Sequence, residues 1–344
     1  MPFGYLISAV LMGTCVLAAV APRRSPRPLA VACFRLGFVN ELPFFAAYLL
    51  IGSTVLAAAQ GDLNTPVGWL AFAISMLTLA GLGVLVARAL PAHIGPPAGR
   101  TIRVPVIPML LWPFIRRSFD VRRIANIRYG NASLDLYLRR GGGTDRPVFI
   151  HLHGGAFVGG RKNQESLPLI YHLARQGWLC ISANYRLGPA ASRHDQLEDI
   201  RQLLDWVRGH AGHYGGDPGT VVLAGGSAGA YLAARTALTT DDPAVRAVVM
   251  LYAYYGDLGT IDARPGTPPF LVLHGTNDTL VAVEDARRFV EYLRGRSASP
   301  VNYAELPGAG HTFDIFHSLR SRAVIRAAET FLDRYRAKSQ RVAP

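Results

Sequence analysis

The chain has little cysteine: Cys15, Cys33 and Cys180 are the only three in 344 residues. None is paired at the spacing of a metal site or a disulfide framework, so neither device is expected, and a reducing or neutral compartment fits. The 10 histidines are scattered, with no pair at zinc-ligand spacing beside a third ligand. A Walker-type phosphate loop and a dinucleotide fingerprint are both missing, which removes the nucleotide-binding classes that rest on them. Acidic residues are also scarce: 23 Asp and Glu against 36 Lys and Arg leave a net charge of +13. No basic stripe interleaved with aromatics accompanies that charge, so nucleic acid is not an expected partner.

Long apolar runs are present, and all lie in the N-terminal third. Residues 3–20, 42–59 and 67–86 are each close to the 18–20 residues that about 30 Å of hydrocarbon requires of a helix. No positive charge precedes the first run; the arginines follow it, which argues for an uncleaved anchor over a signal peptide. Three spans within residues 1–90 are therefore expected. The first loop carries Arg23, Arg24, Arg27 and Arg35, the second has Asp62 and no basic residue, and Arg88, Arg100 and Arg103 follow the third run. By the positive-inside rule, the first loop and everything after Arg88 face the cytoplasm at the cell (inner) membrane.

Residues 104–114 are too short and too broken by proline to cross, and read as an interfacial segment. Arg116, Arg117, Arg122, Arg123 and Arg128 come next, opposed locally by Asp120. Such a cluster is drawn to anionic headgroups by about 1 kcal/mol per residue. Residues 91–128 thus read as a basic interfacial linker, and residues 129–344 as a catalytic domain.

Within that domain apolar strands (148–152, 179–183, 221–224, 247–251, 270–273, 302–306) alternate with helical stretches (164–176, 194–210, 228–238, 283–295, 318–335). Strands apolar on both faces imply a mostly parallel sheet covered by helices on both sides, an α/β class fold. Ligands then bind at the C-terminal ends of the strands.

Chemistry-bearing residues fall at those ends. Val221-Val222-Leu223-Ala224 runs into Gly225-Gly226-Ser227-Ala228-Gly229 and then into helix formers, the arrangement of a nucleophile elbow. Upstream, an apolar strand runs into His153-Gly154-Gly155, whose backbone N–H groups are unobstructed by side chains and suit an oxyanion. Gly154, Gly155 and Ala228 are the expected donors, with His153 bracing the loop. Asp278 sits four residues past His274, and His311 lies in a glycine-flanked loop after the last strand. Ser227, Asp278 and His311 then form a nucleophile, orienting acid and base in α/β-hydrolase order. Asp257, after another strand, is the alternative acid.

His153-Gly154-Gly155-Ala156, Gly225-Gly226-Ser227-Ala228-Gly229, Asp278 and His311 together resemble the hormone-sensitive-lipase-like branch of α/β-hydrolases. Asn184-Tyr185-Arg186-Leu187, Tyr214-Gly215-Gly216-Asp217-Pro218 and His274-Gly275-Thr276-Asn277-Asp278 add to the resemblance, which spans about residues 146–336. It implies hydrolysis of carboxylic esters through an acyl-enzyme, with no metal and no organic cofactor. It also implies N-terminal helices covering the substrate pocket, where this chain has membrane and interfacial segments. A membrane-anchored esterase or lipase acting on lipophilic or small acyl esters is expected. An acyltransferase using the same triad, and a non-catalytic binding module on the same fold, are the alternatives.

Overall fold

The computed structural model describes residues 2–90, 107–114, 117–264 and 266–335. Arg100, Arg103, Arg116 and the first part of the 104–114 segment lie outside them. The chain opens with helices α1 (Pro2–Val20), α2 (Arg27–Leu36), α3 (Pro43–Ala59) and α4 (Pro66–Ala89), and a short α5 (Ile107–Leu111) follows. Proline stands at the first turns of α2, α3 and α4, where its missing N–H costs nothing. Helices α1 and α4 are long and apolar enough to cross a membrane. The run at 42–59 differs from a simple span. It forms α3, joined to α2 through a 3-10 turn at Gly37–Glu41 with a bend of 84°. Counting that bent pair as one span gives three.

The ends of these helices sort to two sides. Arg88 Nη1 donates to the Val20 carbonyl at 2.7 Å, so α1 and α4 finish together. Asn40 Nδ2 donates to the Gly308 carbonyl at 2.8 Å, so α3 starts against the C-terminal domain. At the far end Tyr5, Ala57 and Ala71 pack in one cluster. Helix α3 therefore runs against α1 and α4, and α2 lies across their near ends. Phe3, Ile7, Leu11 and Leu17 on α1, with Trp69 and Leu77 on α4, remain more than half exposed. An apolar surface of that extent marks an interaction face.

The C-terminal domain is built on eight strands: β1 (Val121–Tyr129), β2 (Ala132–Arg139), β3 (Arg146–Leu152), β4 (Leu179–Ala183), β5 (Gly216–Gly226), β6 (Val245–Leu251), β7 (Phe270–Gly275) and β8 (Val301–Leu306). Their order is β1-β2-β4-β3-β5-β6-β7-β8; β2 is antiparallel to β1 and β4, and the rest pair in parallel. Alternation on β3 explains why helices must cover both faces. Val148, Ile150 and Leu152 enter one core and Phe149 the other, all fully buried. Helices α7 (Arg193–His210), α8 (Ala228–Thr239) and α9 (Val283–Arg294) cover the first face. Helices α6 (Leu167–Arg175) and α10 (Leu319–Leu332) cover the second.

The sheet begins earlier than a boundary at residue 129 allows. Arg122, Arg123 and Arg128, read from the sequence as headgroup ligands, are strand residues of β1 paired with β2. Arg123 Nη2 lies 2.6 Å from buried Asp135 Oδ2, and Lys162 Nζ lies 2.8 Å from its Oδ1. Arg123 and Lys162 thus neutralise a buried carboxylate, which is costly when left alone.

Candidate active site

Strand β5 delivers Ser227 to the N-terminus of α8. Ser227 has φ 51° and ψ −116°, a conformation L-residues avoid and one that concentrates at functional turns. Its glycine neighbours are sterically required. A Cβ on Gly229 would lie 2.1 Å from the Leu152 carbonyl oxygen, and one on Gly226 would lie 2.5 Å from the Tyr252 hydroxyl. The turn is held by Ser227 N donating to Leu251 O and Tyr254 N donating to Ser227 O. Ala228 is the first residue of α8, so its N–H lacks an intrahelical acceptor.

Strand β3 delivers the glycine turn beside the serine; an added Cβ on Gly154 would sit 3.1 Å from Ser227 Cβ. Gly155 has φ 118°, and a Cβ there would meet the Gly159 carbonyl oxygen at 2.1 Å. His153 is buried, its Nδ1 is 2.6 Å from Gly154 O, and its ring stacks on Tyr185 at 4.5 Å. The Tyr185 hydroxyl donates to the His153 carbonyl at 2.7 Å.

The Gly154 N–H, one of the expected oxyanion donors, is already committed: it donates to Glu165 Oε2 at 2.7 Å. Glu165 carries no sequence motif and was not anticipated. Burial pushes its carboxyl up to about 7, against the lowering effect of that amide. Asp314 was not anticipated either, although it lies three residues past His311. The Tyr252 hydroxyl donates to its Oδ1 at 2.7 Å, and Ser166 Oγ hydrogen-bonds its other oxygen.

Asp278 and His311 meet. His311 Nδ1 lies 2.6 Å from Asp278 Oδ2, while Asp278 Oδ1 accepts from the amides of Leu280 and Val281 at 2.8 and 3.0 Å. Burial works against the His311 imidazolium. The charge and hydrogen bond of Asp278, with the charges of Glu165 and Asp314, outweigh it and raise the His311 pKa. Burial likewise opposes the Asp278 carboxylate, yet His311 beside it holds its pKa below the usual range. The ring of His311 is edge-on to Tyr252 at 4.9 Å and to Phe34 of α2 at 5.9 Å. No hydrogen bond joins Ser227 Oγ to His311 among the described residues; such contacts commonly tighten only when substrate is bound.

Other candidates are placed elsewhere. Asp257 accepts from the Tyr231 hydroxyl at 2.7 Å and pairs with Arg235, and it makes no contact with His311 among the described residues. Ser166 is spent on Asp314. His151 is buried on β3 with neither ring nitrogen hydrogen-bonded, and burial beside His153 pushes its pKa down to about 3. It is no partner for a serine. Among the described residues no group of three or more His, Cys, Asp or Glu is arranged to hold a metal ion.

The N-terminal helices reach this site. Arg24 donates to the carbonyls of Thr276 and Asp278 at 2.7 and 3.1 Å, and Thr279 Oγ1 donates to the Ala30 carbonyl at 3.0 Å. The loop that carries Asp278 is thus held from the segment between α1 and α3. The sequence marks that segment as an arginine-bearing loop between apolar runs but gives no sign of its contacts with the site.

Known proteins bear out the esterase reading. The BD-FAE family model matches residues 134–257, which include the glycine turn and Ser227. The probable carboxylic ester hydrolase LipM of Mycobacterium tuberculosis (strain ATCC 25618 / H37Rv) is 33% identical over 93% of this chain and 93% of its own. Esterase LipQ of the same organism is 34% identical over 55% of this chain and 56% of its own. Among solved structures, the esterase Est2 of Thermogutta terrifontis with propionate bound superposes with a TM-score of 0.55. It is 24% identical and matches 64% of this chain and 96% of that one, a likeness of fold. With full-length similarity to LipM and this sheet, the chain belongs to the α/β-hydrolase esterase family and is a carboxylic ester hydrolase.

Proposed function

We propose that this chain is a membrane-anchored serine esterase of the hormone-sensitive-lipase-like branch, working through an acyl-enzyme on Ser227. The observation that carries the reading is the Asp278–His311 hydrogen bond of 2.6 Å beside a strained serine at a helix N-terminus. In the first step His311 takes the Ser227 proton as Oγ attacks the ester carbonyl, and Asp278 holds the tautomer and steadies the imidazolium. The carbonyl oxygen becomes negative and is received by the N–H groups of Gly155 and Ala228. We assign two donors, not three, because Gly154 N–H is held by Glu165. A preorganised donor of this kind contributes about 3–4 kcal/mol to the transition state. His311 then returns its proton to the departing alcohol, and water releases the acid by the reverse sequence.

Small acyl groups are the substrate class we favour on the acid side, since the structurally similar Est2 binds propionate. The anchor we assign has three spans, with α2 lying at the membrane surface over the site. The arginines of the first loop put the catalytic domain on the cytoplasmic face of the cell (inner) membrane. The test is hydrolysis of nitrophenyl esters, from acetyl to long acyl, by membranes carrying wild type or Ser227→Ala. Turnover that falls by at least about 10³-fold in the variant is expected. Turnover that survives would exclude Ser227 as nucleophile.

A further inference from the structure

A cavity of about 310 Å³ lies beside His311, within the size range of small-molecule sites. Gly310, His311 and Ile315 form one wall, and Ala18, Phe34 and Phe38 from the N-terminal helices form the other. Neither Ser227 nor the Gly154-Gly155 turn borders it, so it lies on the histidine side of the site, away from the oxyanion donors. In acyl transfer the histidine protonates the leaving alkoxide, so the alcohol half of the ester must face the imidazole. Of the polar lining residues, buried Glu41 is already engaged by Ser318 and Arg320, and Arg35, Asn40, Asn277, Thr279 and Thr312 stand among apolar neighbours that make up most of the lining. Phe38 lines the cavity and is itself half-exposed, and Ala18 in the same lining is the chain neighbour of Leu17, which is uncovered near the end of α1.

We propose that this cavity is the leaving-group pocket, and that it takes the hydrocarbon chain of a hydrophobic alcohol entering past Phe38 from the apolar side of α1. The assignment rests on the serine-esterase reading and adds the alcohol class. It also makes the anchor a wall of the catalytic site, so the hydrolase sheet and its loops alone do not complete it.

The full-length protein in membranes is assayed by acid release on two series, alkyl acetates from methyl to octyl and methyl esters of lengthening acids. Along the alcohol series kcat/KM is expected to rise by about fourfold per methylene until the cavity is full, the factor given by burial of one CH₂. Ala18→Phe fills the cavity and should flatten the alcohol series while the acyl series keeps its slope. Phe38→Ala, at a half-exposed position, should reduce the gain per methylene along the alcohol series. A flat alcohol series in wild type, or variants that leave its slope alone or lower both series alike, would overturn the assignment. Absence of Ser227-dependent turnover of every ester, methyl acetate included, would instead overturn the esterase reading beneath it.

Discussion

Three carboxyl groups act on His311, and one of them, Asp278, is the orienting acid proposed above. Asp278 is in contact, and Glu165 and Asp314 add to the field. General-base catalysis needs the neutral imidazole, and a raised pKa means that form is reached at higher pH. The acid limb of kcat/KM is therefore expected above the ordinary histidine value of about 6.5. Glu165→Gln keeps an oxygen for the Gly154 amide and removes one negative neighbour, so the limb should move to lower pH. A pH–rate profile of the variant checks this; an unmoved limb would show that Glu165 does not act on His311. Ser227, Asp278 and His311 could be proposed from the sequence because each follows an apolar strand in a fixed order. Glu165 could not, because its role depends on the αL turn at Ser166 bringing it under Gly154, and no local pattern encodes that contact.

At the scale of elements, the joint between the N-terminal helices and the hydrolase domain is polar and buried. Arg320 at the start of α10 is 1% exposed and lies 3.1 Å from Glu41 Oε1, while Ser318 Oγ donates to the other oxygen at 2.8 Å. Arg320 Nη1 also donates to the Asn40 carbonyl at 2.9 Å. Removing one partner leaves the other charge buried and alone. Arg320→Ala should cost about 3–5 kcal/mol, read as a lowered unfolding midpoint in detergent; a midpoint equal to wild type would show that the joint carries no stability. The parallel strands and their helices were readable from apolar runs. Strand β1 was not: it is an edge strand rich in arginine, and a bulge between Ile124 and Ile127, with Asn126 at φ 60°, breaks its alternation. The bend before α3 was hidden too, since an apolar run does not disclose that the preceding turn packs against another domain.

Across the whole molecule, one segment has two assignments. Residues 21–41 were readable as an arginine-bearing loop on the catalytic side of the proposed membrane. In the fold the same residues hold the Asp278 loop through Arg24 and Ala30 and set Phe34 against His311. Covering helices implied by the family resemblance and the membrane segment implied by hydropathy are thus adjacent parts of one N-terminal unit. The most direct measurement on this arrangement is covalent: the full-length protein in membranes is treated with a fluorophosphonate, and the labelled peptide is sequenced by mass spectrometry. A single adduct on Ser227, absent from Ser227→Ala together with ester turnover, is the expected result. An adduct on another serine, such as Ser166, or turnover that persists without Ser227, would contradict the assignment of the nucleophile.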